Sequence, residues 1–236
     1  MTSDDRKRYR GHLSLCEIDL PGQQRIAQGR VLIVGAGGLG SPVALYLAAA
    51  GVGHIAVLDP DTVSLSNLQR QIIHGTPDLG RHKALSARDA MTRINPTVTV
   101  EPLTDSLTPG NARDIIDRYD LVIDCTDNLD TRLLINDTCE AIGKSYVFGA
   151  VRRFEGQVFT HTPGTASYRD IFGSEPTEGG DIPCAVDGVM NTVVGVIGCL
   201  QATEAIKWLA HTGDLLTNRL LTFDAITMTF NTFRLG

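Results

Sequence analysis

The sequence predicts an α/β fold: a Rossmann-like, doubly wound, mostly parallel sheet extended by antiparallel C-terminal strands. Three observations predict it. Short apolar runs alternate with helix-length segments through the first 150 residues. A glycine-rich turn lies directly behind the first of those runs. After residue 150 the pattern changes to paired strands joined by short turns, with a long polar stretch between them.

Each element follows from local pattern. RVLIV at 30–34 is continuously apolar after its first residue, as expected of a parallel strand buried on both faces. A helix pattern runs from about Gly38 through Ala50. HIAVLD (54–59), VTVE (98–101), DLVIDC (120–125) and SYVFGA (145–150) read as later strands, and 82–94, 111–117 and 128–143 as helices. FEGQVFTHT (154–162) and RLLTFDAITMTFNTF (219–233) read as antiparallel strands. Residues 162–183, rich in Gly, Pro, Ser and Thr, read as a long mobile loop. A helix of roughly twenty residues is predicted from about Gly188 to Ala210 by its helical spacing of Val, Ile and Leu. No repeat or linker divides the chain, so one unit spanning 1–236 is expected.

Composition limits the function classes. The 236 residues are 42% hydrophobic and 20% charged, which excludes disorder and fibre. Twenty-one basic and 27 acidic residues give a net charge of −6, against a nucleic-acid binder. No uninterrupted apolar run reaches the length of a membrane span, and MTSDDRKRYR at the start lacks a signal-peptide pattern, so a cytoplasmic protein is expected. Cys16, Cys125, Cys139, Cys184 and Cys199 are odd in number and form no C-x-x-C, which supports neither a disulfide framework nor a zinc site. His12, His54, His74, His82, His161 and His211 are scattered and read as packing or surface residues.

Gly35, Gly37 and Gly40 fit G-x-G-x-x-G, with Gly38 between them. Glycines here permit a tight turn and let backbone N–H groups approach a phosphate at a helix N-terminus. Asp59, at the end of the next strand, is placed to accept hydrogen bonds from ribose hydroxyls. The phosphate site is expected in the notch between the first and second strands.

The residues that follow are unusual in an acidic chain. Asn67, Arg70 and Gln71 precede Arg81, His82 and Lys83, and the fourth predicted strand ends in Cys-Thr-Asp-Asn, which carries Asp127 to the same edge. Cations neutralise developing phosphate charge, and a carboxylate holds Mg²⁺ against phosphate oxygens. Arg70, Lys83 and Asp127 are therefore the candidate catalytic residues. Taken singly, Arg70 and Lys83 have a solvated charged face as the competing reading, and Asp127 a helix N-cap.

The strings VGAGGLGSP, GVGHIAVLDPDTVSLSNLQRQ, DCTDN and GVIGCLQATEAIK, set between Arg8-Tyr9 and the final strands, resemble the MoeB/ThiF/HesA group of ubiquitin-activating-like adenylyltransferases. The resemblance covers nearly the whole chain. It implies MgATP as substrate and, as partner, a small ubiquitin-like sulfur carrier of the MoaD or ThiS kind ending in Gly-Gly. It implies an acyl-adenylate at that tail, pyrophosphate release, a homodimer, and a sulfurtransferase or cysteine desulfurase as a further partner. By position it assigns phosphate contacts to Gly38 and its loop, Asn67, Arg70 and Lys83, ribose to Asp59, and magnesium to Asp127. A tail carboxylate is ionised at pH 7 and attacks phosphorus without a general base, consistent with the lack of a Ser/His/Asp arrangement. Other readings are a small or tRNA-linked carboxylate as substrate, an NAD(P) oxidoreductase, and a binding module that has lost catalysis.

The chain departs from the family in two places and matches one of its branches in a third. Ser167-Tyr-Arg-Asp170 stands where relatives have the first C-x-x-C of a zinc site, so no zinc is expected. Gly11 stands where relatives place an arginine that reaches the neighbouring subunit's ATP, and Arg10 is the candidate stand-in. Cys184, in DIPCAVDGV, matches a loop cysteine of the thiamine branch and is a candidate for sulfur transfer.

Overall fold

The computed structural model describes residues 1–173 and 188–235. Strands β1 (Arg30–Val34), β2 (His54–Leu58), β3 (Thr99–Leu103), β4 (Leu121–Asp124) and β5 (Ser145–Arg152) are parallel. β6 (Glu155–His161), β7 (Arg219–Asp224) and β8 (Thr229–Arg234) continue the sheet antiparallel. Among the described residues the order is β3-β2-β1-β4-β5-β6-β7-β8. The chain moves outward from β1 to β3, then crosses to the other side of β1 with β4. The switch point therefore lies between β1 and β4, where a parallel sheet opens a crevice at its carboxyl edge.

Period-two alternation divides β1 between two cores. Val31 and Ile33 face one layer, with Val43, Leu47, Ile55, Val57 and Ile197. Leu32 and Val34 face the other, with Ile116, Tyr119, Val122, Ile135 and Phe148. The first layer holds α3 (Asp19–Gln28), α4 (Gly40–Ala50), α5 (Lys83–Ile94) and α9 (Asn191–Ala210); the second holds α6 (Ala112–Ile116) and α7 (Leu129–Ile142). Helix α9 is long and apolar enough to cross a membrane by length and composition, yet 56% of its apolar window is buried inside the fold.

Two expectations change. Inside the predicted long loop, α8 (Tyr168–Phe172) forms because Ser167 and Asp170 make a capping box, and buried Tyr168 packs against Phe148 and Phe172. The rest of that stretch, 174–187, lies outside the described residues. The N-terminus also folds, as α1 (Ser3–Arg8) and α2 (Arg10–Leu13), followed by α3. These helices are short and largely polar, so their apolar pattern is faint. Tertiary contacts hold α3: Gln23 Nε2 donates to the Ala50 carbonyl at the end of α4 (2.9 Å), and Arg25 Nε to the Ala210 carbonyl at the end of α9 (2.9 Å). Both satisfy helix-end carbonyls that have no intrahelical donor.

Two glycines in helices separate backbone crowding from open space. A Cβ on Gly40 would lie 1.9 Å from the Gly35 carbonyl oxygen, whereas one on Gly195 meets nothing within 4 Å. Gly40→Ala is expected to cost about 3 kcal/mol, and Gly195→Ala to add roughly 0.5–1 kcal/mol through reduced chain entropy. Urea unfolding of the two variants checks both signs.

Candidate functional site: a cleft at the sheet switch point

The carboxyl ends of β1, β2 and β4 enclose a cleft of about 340 Å³. It spans the notch expected between the first two strands and extends across β1 to the end of β4. Gly35, Gly37, Gly38, Asp59, Arg70, Gln71, Lys83 and Asp127 all line it.

Gly35 has φ +98°, a left-handed conformation that turns the chain sharply out of β1. Gly40 is outside the lining; it packs on Gly35 and lets α4 start close to the strand. The start of α4 has no side-chain cap. The N–H groups of Gly37, Gly38 and Leu39 find no acceptor among the described residues, which leaves a row of donors at a helix N-terminus. Gly38 is also needed for space, since its Cβ would sit 2.5 Å from Val194 Cγ1.

Asp59 is buried, and its carboxylate holds the turn: Oδ2 accepts from the Ala36 N–H (2.8 Å) and Oδ1 from the Asp61 N–H (2.9 Å). Burial raises its pKa from the ordinary carboxylate value, opposed by Lys83 and by the two N–H donors. Each oxygen keeps a further lone pair for a ligand hydroxyl. Lys83, the first residue of α5, is also buried; its Nζ lies 2.8 Å from Asp61 Oδ2 and 3.9 Å from Asp59 Oδ1.

The segment 65–71 presents the next two side chains. The Asn67 carbonyl accepts the N–H groups of both Arg70 and Gln71 at 3.0 Å, so Asn67 shapes the turn while lying outside the cleft lining. The Gln71 side chain is buried and its Oε1 has no partner among the described residues. Arg81 and His82 do not join the cleft: Arg81 is paired with Asp78 and Asp89, each at 2.6 Å, and His82 is exposed.

At the end of β4 the two readings of Asp127 separate. Asn128 is the N-cap of α7, its side chain accepting from the Thr131 N–H at 2.9 Å. Asp127 is exposed in the cleft wall with no ion-pair partner among the described residues. No cluster of three His, Cys, Asp or Glu side chains exists among those residues. A single carboxylate suits Mg²⁺, which keeps several waters and is bound mainly through substrate phosphates.

Sequence reading missed Arg132. It donates through Nη2 to the Thr126 carbonyl (3.0 Å), lies over the Phe148 ring at 5.5 Å, and leaves its buried Nε without a partner. It faces Asp124, whose pKa burial raises and Arg132 opposes. The available signal was its spacing, four residues past the helix cap Asn128 and so on the same helical face. Ser106 and Leu107 also line the cleft, from a loop with no motif. Arg10 is exposed on α2, away from this chain's own cleft, and Gly11 beside it meets no neighbour. Cys184 lies outside the described residues.

Fold and cleft together define a Rossmann-like domain whose switch-point cleft presents a row of N–H donors at a helix N-terminus. A family model narrows the class: the ThiF family matches residues 9–236, and the chain belongs to that family. A probable adenylyltransferase/sulfurtransferase, MoeZ of Mycobacterium tuberculosis, is 43% identical over 98% of this chain and 60% of its own length. A SAMP-activating enzyme E1 of Haloferax volcanii is 44% identical, covering 95% and 83%. The adenylyltransferase and sulfurtransferase MOCS3 of Bos taurus is 43% identical over 100% of this chain and 52% of its own length. The chain thus spans only a little over half the length of MoeZ and MOCS3. Among solved structures, the fold matches E. coli MccB with ATP (TM-score 0.80, 20% identity, 92% of this chain and 67% of that one) and PaaA (TM-score 0.83, 19%, 100% and 75%).

The cysteines described here are unsuited to chemistry at the cleft. Cys125 lines it, yet burial pushes its thiol far above the ordinary value, as burial pushes Cys139 up to about 12. Among the described cysteines, exposed Cys16 is expected to react with a thiol-specific chromogenic reagent in the native protein, and Cys125 and Cys139 only after denaturation. Mass-spectrometric mapping of the native, labelled protein checks this order.

Proposed function

We propose that this chain adenylates the C-terminal glycine of a small ubiquitin-like sulfur-carrier protein, using ATP and releasing pyrophosphate. One observation carries the reading: free backbone N–H groups, Arg70, Lys83 and an unpaired Asp127 converge on one cleft at the switch point. The names of the MoeZ, MOCS3 and SAMP-activating relatives support the reaction class. A hydride-transfer enzyme has no use for this set of cations beside its phosphates.

The chemistry follows from charge. The incoming carboxylate oxygen forms a bond to the α-phosphorus, and the bond from that phosphorus to the β-bridging oxygen breaks. The electron pair leaves with pyrophosphate, and no proton transfer is required. The N–H row of Gly37, Gly38 and Leu39 and the side chains of Arg70 and Lys83 neutralise the phosphates, Asp59 holds the ribose hydroxyls, and Gln71 Oε1 supplies a buried acceptor. Arg132 adds a cation that sequence reading had not assigned. Asp127 would hold Mg²⁺, which supplies further charge neutralisation on the phosphate oxygens when bound.

The pathway is molybdenum-cofactor, thiamine or related sulfur-transfer biosynthesis in the cytoplasm, with a sulfurtransferase or cysteine desulfurase as further partner. The active form is a homodimer, Arg10 reaches the partner subunit's ATP in place of the arginine absent at Gly11, and Cys184 takes part in sulfur loading. No structural zinc is required, the capping box of α8 standing in the first C-x-x-C position.

ATP–pyrophosphate exchange tests the reading. Exchange is expected to require a carrier ending in Gly-Gly, and Lys83→Ala and Asp127→Asn to lower it by about 10²–10³-fold. Exchange without a carrier, unchanged rates in both variants, or binding of NAD(P) instead of ATP would overturn it.

A further inference from the structure

His74 is a buried titratable residue beside the glycine loop that the chemistry above does not use. It is 6% exposed and bridges two parts of the cleft wall. Its Nε2 lies 2.9 Å from the Ala36 carbonyl oxygen and its Nδ1 lies 2.8 Å from Ser86 Oγ. A carbonyl only accepts, so Nε2 carries the proton and Nδ1 accepts from the Ser86 hydroxyl. Ser86 is on α5, one turn beyond Lys83.

The consequence comes from peptide planarity. The Ala36 carbonyl and the Gly37 N–H belong to one rigid trans unit and point in opposite directions. By drawing that carbonyl away from the cleft, His74 aims the Gly37 N–H toward it. Asp59 holds the other side of Ala36 through its N–H at 2.8 Å. Ala36 is thus held at both backbone groups, and the donors of Gly37 and Gly38 are oriented before a ligand arrives. Because Ser86 shares a helix with Lys83, the same imidazole joins the N–H row to the buried ammonium. We propose that His74 is a positioning residue that locks the glycine loop to the lysine-bearing helix, and so sets ATP affinity rather than carrier affinity.

Charge around the ring agrees with this geometry. Burial lowers the pKa of His74 from its ordinary 6.5, and Lys83 adds to that; the Ala36 hydrogen bond, Asp78 and Asp59 act in the opposite sense. The neutral ring is the form that both donates to Ala36 and accepts from Ser86.

The test rests on the nucleotide reading above but has an arm independent of it. In ligand-free protein, amide hydrogen exchange at Ala36 and Ser41, whose N–H groups are bonded to the Asp59 carboxylate and the Gly37 carbonyl, is expected to quicken by about tenfold in His74→Leu, to return close to wild type in His74→Gln, and to quicken about threefold in Ser86→Ala. Gln is the rescue because its Nε2 can donate where the imidazole Nε2 does. In calorimetry with a non-hydrolysable ATP analogue, His74→Leu is expected to raise Kd by about tenfold, Gln to restore it, and KM for the carrier to stay unchanged. If His74→Leu fails to fold, Ser86→Ala carries both arms. Unchanged loop exchange, Gln no better than Leu, or a carrier KM that moves with the nucleotide Kd would overturn the proposal. Normal loop behaviour in a wild-type chain that does not bind the analogue would overturn the nucleotide reading alone.

Discussion

A parallel sheet covered on both faces has one place to put polar groups, and this structure is organised around that constraint. Val31 through Val34 and Ile55 through Leu58 are buried on both sides, so neither strand can present a charged side chain along its length. At their carboxyl ends the chain leaves the apolar layers. There, Gly35 turns out of β1, Asp59 follows β2, and Thr126, Asp127 and Asn128 follow β4. The reversal of strand order between β1 and β4 keeps the flanking connections apart, and the cleft is the space they leave.

Electrostatics then sort the charges that reach this edge. Lys83 is buried, a costly position for an ammonium, and it sits between Asp59 and Asp61. Asp59 is itself held by two N–H donors, so the carboxylate that stabilises the loop is the one that faces the lysine. Asp124 and Arg132 form a second opposed pair beneath the β4 turn. Asp127 stays exposed with no ion-pair partner among the described residues, while Asn128 beside it caps α7. The cleft therefore contains a lysine fixed by two carboxylates and an aspartate with no ion-pair partner among the described residues.

The support for this cleft comes from both layers. Helix α9 brings Val194 against the glycine loop and Gln201 against the end of β4, where its Nε2 donates to the Asp124 carbonyl at 2.7 Å. Helix α5 carries Lys83 and Ser86 on successive turns. On the opposite face, Phe148 underlies the Arg132 guanidinium and packs with Phe159, Tyr168 and Phe172. The aromatic cluster anchors α8.

What was legible in the sequence was local. Continuous apolar runs marked the parallel strands, glycine spacing marked the loop, and DCTDN marked the end of β4, because backbone sterics and burial act within a few residues. What was not legible was pairing at a distance. Arg81 and Lys83 are two residues apart and read alike, yet Arg81 turns to Asp78 and Asp89 while Lys83 turns inward. His74 read as one packing residue among six histidines until the Ala36 carbonyl and Ser86 appeared on either side of it. The polar helix α3 was missed because the partners that hold it, Ala50 and Ala210, are distant in the chain. By itself the sequence determined the fold class, the edge at which the cleft lies and most of the residue types around it. Only the tertiary structure decided which charges face the cleft and which neighbours orient them, since those choices depend on burial and hydrogen-bond geometry between segments far apart in the chain.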